Sequence, residues 1–432
     1  VRDVTKVLDP IFDLSRVSTL VYPGMRPFVI PAGALRAPRS EEDAARIVEL
    51  QRLGVVPGFA GGEYGYNSTG DLLTRTSDGF DLNELWDEFV DVVNLNNEPR
   101  DNMVSFLTFP VTEPVERVPQ AGNLVNFEVA TEYGEPRGVR VKLTYFSLAY
   151  DIEWYDVGVR YTYRFLATAP ASQLRAIANS VNEADNRNVF TKVMRTIFNS
   201  ANLTATIEGQ PYTVYKFYNN DGTVPPAYKT NTFLSTHQHY VTSGAATVDS
   251  EDVERLIGLV TEHGYEPAVG YQLILLVNKQ EGTQIRKFRL GQTNNNAAVA
   301  NYDFIPAVNQ PDFLLSATQQ VVGARPAGTL QGLTVIGSYA DVLVVQDDYI
   351  PAGYMVCFAT GGPRNLQNPV GFRQHAQAAL QGLQLVRGPV PDYPLIDSFY
   401  QRIFGTGIRQ RGGGAVMQVT AAGSYTAPAA YT

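Results

Sequence analysis

The chain has 432 residues, of which 44% are apolar, 11% aromatic and 18% charged, with a formal net charge of −9 and one cysteine. That length points to two or three domains, and the composition excludes a disordered chain and a disulfide scaffold. The acidic balance argues against a dedicated nucleic-acid binder, which would carry a basic stripe.

Residues 1–39 hold Pro10, Pro23, Pro27, Pro31 and Pro38. Proline fixes φ and lacks a donor, so this stretch reads as an extended arm that needs a surface to lie on. A first helix is expected after Ser40, with Glu41, Glu42 and Asp43 at its positive end and Gly54 as its stop. A Gly-rich stretch from Gly58 to Gly70 leads to a second helix, where Asp81 and Glu84 suggest a capping box and Leu82, Leu85, Trp86, Phe89, Val92 and Val93 recur at helical spacing.

From Met103 to Ala167 the pattern is that of strands. Phe127 and Val129 alternate with Glu128 and Ala130, Val139, Val141 and Leu143 alternate with Arg140 and Lys142, and EYGEPRG lies between them. This reads as a long hairpin with a charged tip, which is marginal without a surface to cover it. The longest helix is expected over 170–200, with Leu174, Ile177, Val181, Ala184, Val193 and Ile197 as its apolar stripe.

The second half alternates helix and strand. Asp249 starts a helix with Val253, Leu256, Ile257 and Val260 on one face, ending at His263 before Gly264, and YQLILLV follows as a buried strand. Strands are expected at Thr334 to Ile336, Val342 to Val345 and Tyr354 to Phe358. Helices are expected near Phe372 to Leu383 and Leu395 to Phe404, and AVMQV forms a last strand. The tail from Thr420 is expected to be extended or mobile.

No apolar run is long enough to cross a membrane, and the N-terminus VRDVTKVLDP is too polar for a signal peptide. No membrane partner is therefore expected. Cys357, inside YMVCFA, reads as a buried small hydrophobe in a reducing compartment. The sparse charge suggests that much of the exterior is covered by neighbouring subunits.

Of the possible chemical sites, His237-Gln238-His239 is the most suggestive, because residues i and i+2 of a strand share a face and two imidazoles there can grip one metal. A third ligand would have to come from afar, such as His263 or a carboxylate. With four histidines and no HExxH or CxxC spacing, the pair is read as structural: no metal is expected, and His237 and His239 remain its candidates. Asp347-Asp348 reads as turn-capping, and GGPRN (361–365) and RGGGA (411–415) lack the Lys and Ser/Thr of a phosphate loop. No catalytic constellation or cofactor site is found.

The phrases NSTGDLLTRTSDGFDLNELWDEF (67–89), VERLIGLVTEHGYEPAVGYQLILLVN (253–278), DDYIPAGYMVCFATGGPRN (347–365) and DYPLIDSFYQRIFGTGIRQRGGGAVMQV (392–419) carry a resemblance. So does the order of arm, capped helix, hairpin, isolated long helix and mixed domain. Over nearly its whole length the chain resembles the major capsid proteins of tailed double-stranded-DNA bacteriophages, those of actinobacterial phages in particular. These proteins have the α+β Hong Kong 97-like fold.

The resemblance implies an N-terminal arm at 1–60, a linker, helix and first peripheral strands at 61–118, and an extended-loop hairpin at 119–148. It further implies a peripheral domain at 149–234 with spine helix 170–200, an axial domain at 235–382, and a return to the peripheral domain with a C-terminal tail at 383–432. Glu132, Glu135, Arg137, Arg140 and Lys142 become the candidate intersubunit contacts. Some capsids of this family join subunits by a Lys–Asn isopeptide bond, whereas Lys142, on the return strand, is expected to serve in a salt bridge.

The implied role is structural, not enzymatic. Copies assemble into hexameric and pentameric capsomers of an icosahedral shell that encloses double-stranded DNA without binding it specifically. Portal, scaffolding and decoration proteins are the implied partners, the virion capsid the location and the host cytoplasm the place of assembly. The alternatives are an encapsulin-type nanocompartment shell of the same fold and a His-dependent metalloenzyme. Val1 in place of Met is expected to reflect removal of an initiator, with maturation cleavage as the alternative.

Overall fold

Asp81 opens the first described helix, its carboxylate accepting the Asn83 N–H at 2.8 Å, and Leu82, Leu85, Trp86, Phe89 and Val93 turn one buried face inward. The computed structural model describes residues 75–98, 102–120, 129, 132, 134, 144–159, 161–308, 326–330, 333–388 and 395–432. The expected arm and the helix after Ser40 lie outside them.

In chain order the elements are α1 (Leu82–Asn97), α2 (Met103–Leu107), β1 (Thr108–Val111), β2 (Val115–Gln120), β3 (Thr144–Ala149), β4 (Glu153–Gly158), α3 (Tyr163–Thr168) and α4 (Ala171–Phe198). They continue as β5 (Leu203–Ile207), β6 (Gln210–Val214), β7 (Tyr240–Thr242), α5 (Ser250–Thr261), β8 (Gln272–Val277), α6 (Lys279–Ile285), β9 (Phe304–Pro306) and β10 (Thr329–Leu330). The remainder comprises β11 (Leu333–Tyr339), β12 (Val342–Gln346), β13 (Tyr354–Thr360), β14 (Val370–Gln374), β15 (Leu383–Val386), β16 (Phe399–Ile408) and β17 (Gly414–Gln418).

The chain divides into two units. The first takes in the described residues up to Leu95, Asp156–Val181 and Leu385–Tyr400. Its core is Leu82, Leu85, Trp86 and Phe89 of α1 against Tyr161, Leu166, Ala171, Leu174, Ala178 and Leu395. The start of α4 is capped from a distance: both Asp78 carboxylate oxygens accept the Ala171 N–H, at 3.0 and 3.1 Å. A negative group at that end also complements the helix dipole.

The second unit comprises Asn96–Tyr155, Asn182–Gln384 and Gln401–Thr432. Its central sheet runs β10-β11-β12-β8-β13-β17-β7, with β9 on β11. β8 pairs parallel to β12 and antiparallel to β13, and β17 pairs antiparallel to β13 and parallel to β7. Both faces are covered, which is why Leu273–Val277 of β8 is an unbroken apolar run. Leu273, Leu275, Val277, Met355, Cys357, Ala415 and Met417 face Val253, Leu256 and Val260 of α5. Ile274, Leu276, Val356, Phe358 and Val416 face Val193, Met194, Ile197 and Phe198 of α4.

A second sheet in this unit runs β1-β14-β16, parallel then antiparallel. Beside it Tyr150 is fully buried, and side chains at Gly371 or Gly407 would strike its ring, with added Cβ atoms at 2.3 and 2.9 Å. Gly405 crosses the chain still more closely, since a Cβ there would stand 1.3 Å from the Asp151 carbonyl oxygen.

Several expectations are corrected. The strand region does not begin at Met103, because Asn102 and Ser105 form a reciprocal capping box that starts α2. It also ends before Ala167, because Thr162 caps α3. Phe372 to Leu383 is not a helix: Val370–Gln374 is strand β14, held between β1 and β16, followed by a 3-10 turn at Ala378–Leu380 and β15. Leu395 to Phe404 is not a helix either, since Phe399–Ile408 forms β16.

Ala184 is exposed on α4, and Asp185 is buried in its place. The tail is neither free nor purely extended: Tyr425 Oη donates to the Phe198 carbonyl at 2.7 Å, and the Tyr431 ring stacks on Phe198 at 5.4 Å.

Candidate functional site

The base of the expected hairpin is formed by β2 and β3, paired antiparallel from Val115 opposite Ala149 to Gln120 opposite Thr144. It is anchored where Glu116 accepts from Arg409 Nε at 2.7 Å and from Tyr150 Oη at 2.9 Å. Of the five contact candidates, Glu132 is exposed in a turn, and Glu135, Arg137, Arg140 and Lys142 lie outside the described residues.

The histidine pair lies just ahead of β7, on either side of Gln238, which bridges to Asn219. That extended backbone places both imidazoles on one side, as the i, i+2 spacing predicts. The end of α5 brings Glu262 and His263 to the same place. There the chain leaves the helix through Gly264 at φ +89, where a side chain would strike the Tyr228 ring.

His237 Nε2 lies 3.0 Å from His239 Nε2 and 2.9 Å from His263 Nε2, and the third side of the triangle is 3.1 Å. Glu262 Oε1 stands 3.3 Å from His237 Nε2 and 3.9 Å from His263 Nε2. His239 is fully buried, and its Nδ1 lies 2.7 Å from the Gly414 carbonyl oxygen of β17. A carbonyl only accepts, so this contact assigns the proton to Nδ1 and leaves a lone pair on Nε2.

The rings are fixed by Phe233, stacked on His263 at 4.2 Å, and by Tyr218, stacked on it at 5.4 Å. Gly412 lets β17's approach pass beneath, since a Cβ there would stand 2.7 Å from the His263 ring. Burial disfavours the charged form of all three imidazoles: His263 is pushed down to about 3, His239 lies well below its usual value, and His237 is lowered. Burial raises Glu262. A cavity of about 310 Å³, bordered by Tyr218, Tyr228, His263 and Gly412, opens beside the cluster.

The other motifs are structural. Asp347 caps its turn by accepting the Tyr349 N–H at 2.8 Å. The 361–365 loop is organised by fully buried Asn368, which donates to the Ser105, Thr108 and Gly362 carbonyls and accepts from Thr360. Arg411 of the 411–415 run is committed to Asp221 at 2.7 Å and to the Lys216 carbonyl at 2.8 Å. Cys357 is fully buried, and burial pushes its thiol up to about 12.

Sequence reasoning missed buried Lys216, Asp185 and Asn368, none of which stands in a motif. Asp185 could have been suspected from its place one step beyond the apolar stripe of α4.

Neither a family model nor a curated protein matches the chain. Among solved structures, the chain is similar to one titled Mycobacterium phage Patience. Identity is 49%, covering 86% of this chain and 97% of that one, with a TM-score of 0.69. Weaker likenesses are to the capsid of a native GTA particle (12% identity, 75% and 92% coverage, TM-score 0.42) and to the mature capsid of bacteriophage PhiM1 (11%, 74% and 88%, TM-score 0.40).

Proposed function

The chain belongs to the Hong Kong 97-like major capsid proteins of tailed bacteriophages, and from that membership we propose how its parts build the shell. The protein is structural, and copies of it form an icosahedral capsid. The observation that carries this is the 49% identity extending over 97% of the Mycobacterium phage Patience chain.

In our reading, copies associate as hexamers and pentamers. Residues 1–60 lie as an arm across neighbours, and 61–118 link that arm to the first peripheral strands. Residues 119–148 reach over the adjacent subunit, with Glu132, Glu135, Arg137, Arg140 and Lys142 meeting it. The paired base of β2 and β3 supports this, because it brackets residues 121–143 between two anchored strands.

Residues 149–234 form the peripheral domain, with α4, about 42 Å long at 1.5 Å per residue, as its spine. Residues 235–382 form the domain at the capsomer centre, joined there by β17 from the returning segment 383–432. Exposed Trp154, Tyr145 and Leu234, at 61%, 58% and 75% exposure, suit burial by a second copy of the chain.

The net charge of −9 suits a container that holds DNA without adhering to it. Assembly in the host cytoplasm, with portal, scaffolding and decoration proteins as partners, completes the reading. Electron microscopy of the expressed full chain tests it. Angular shells support the capsid role, small cargo-filled shells would indicate an encapsulin, and a stable monomer would overturn both.

A further inference from the structure

The geometry points to a structural divalent transition-metal site, of the zinc class, formed by His237, His239, His263 and Glu262. Three observations meet there.

The first is the shape of the donor set. Four ligands about 2.0–2.1 Å from a tetrahedral zinc ion stand about 3.3 Å from one another. The three Nε2 atoms are 2.9, 3.0 and 3.1 Å apart, and Glu262 Oε1 is 3.3 and 3.9 Å from two of them. All four ligand atoms fall within 4.8 Å of one another.

The second is that hydrogen bonding among the rings alone does not satisfy them. Each Nε2 is either a donor or an acceptor, and three mutual contacts form an odd cycle. Any assignment therefore leaves at least one pair of like atoms face to face. The Nδ1 contact of His239 with Gly414 already makes its Nε2 an acceptor. Two donors opposite it would confront each other across 2.9 Å. A cation at the centre removes the conflict, because every ring then presents a lone pair.

The third is Glu262 Oε1 itself, which is buried without a hydrogen-bond partner and borders the triangle.

The surroundings match a metal's outer shell. The His239–Gly414 contact fixes a tautomer and a ring plane, as outer-shell carbonyls do for zinc-bound histidines. Nitrogen and oxygen donors without sulfur favour zinc, cobalt or nickel over magnesium or calcium. Four protein ligands complete the coordination and leave no position for a reactive water, so the site is structural. It ties the segment before β7 to the end of α5 and, through Gly414, to β17.

Shells assembled from the full chain in the presence of zinc, then dialysed, should retain about one zinc per chain by elemental analysis. They should melt at a lower temperature after chelation and recover when zinc is returned. Cobalt added to stripped shells should give the intense visible bands of a four-coordinate ion. Glu262→Gln should keep the protein folded while weakening those bands, and His237→Ala with His263→Ala should lose the metal.

Dialysed wild-type shells without zinc, a melting temperature indifferent to chelation, or full metal content in the double variant would each overturn the assignment. Should the double variant fail to fold, the wild-type zinc, cobalt and melting results decide the matter alone. They do so independently of whether the particles are phage-like or encapsulin-like.

Discussion

Replacing Lys216 by methionine should stabilise the protein, by an amount that depends on pH. Lys216 is 2% exposed and pairs with no carboxylate among the described residues. Burial, reinforced by the charges of Lys192 and Arg195, lowers its ammonium from 10.5 to about 7. At pH 6 both the folded and unfolded chains carry the proton, and the folded chain bears nearly the whole cost of burying it. Between about pH 7 and 10.5 the folded chain has released the proton while the unfolded chain keeps it, so stability rises with pH. At 1.36 kcal/mol per unit, the cost is about 5 kcal/mol at pH 6 and about 2 kcal/mol at pH 9.

Methionine fills a similar volume without a charge, so Lys216→Met should gain most at pH 6 and much less at pH 9. Urea unfolding of the unassembled wild-type and variant chains at both values measures the difference. A stability difference that does not change with pH, or a variant less stable than wild type at pH 6, would refute the reasoning.

Three further outcomes follow from packing and exposure. Arg402 is paired with Asp185, whose side chain is only 4% exposed, so Arg402→Ala should cost about 3–5 kcal/mol in urea unfolding. Pairing Asp185→Asn with Arg402→Met should recover much of that loss. Gly405→Ala would place a Cβ 1.3 Å from the Asp151 carbonyl, and the variant should be recovered as insoluble chain rather than as shells. Of the two tryptophans, Trp86 is 9% exposed and Trp154 is 61% exposed. Tryptophan emission should therefore shift to shorter wavelength on assembly, and Trp154→Phe should abolish that shift.

The sequence was most legible where the signal is local. The apolar spacing of α1, α4 and α5 and the unbroken run of β8 each state their own structure within a few turns or one strand. Legibility failed where partners distant in the chain decide. Residues 370–374 carry weak preferences of their own, and they are a strand because β1 and β16 lie on either side. Phe399–Ile408 likewise takes strand form as the antiparallel neighbour of β14, over Phe404 to Ile408. The histidine site was half visible: His237 and His239 share a face by spacing alone, but Glu262 and His263 join them only through the placing of α5 against β7 and β17. Asp185 was hidden because its partner, Arg402, comes from β16.

The position of β17 has a consequence for timing. It lies between β13 and β7, paired to both, yet it is the last strand of that sheet to leave the ribosome. Until it arrives, Met355 to Phe358 of β13 offer an open, apolar edge, the kind that invites wrong pairing. A polypeptide interrupted before residue 414 therefore keeps that edge unsealed and is prone to aggregate. Synthesis as far as β17 becomes a condition for a closed sheet.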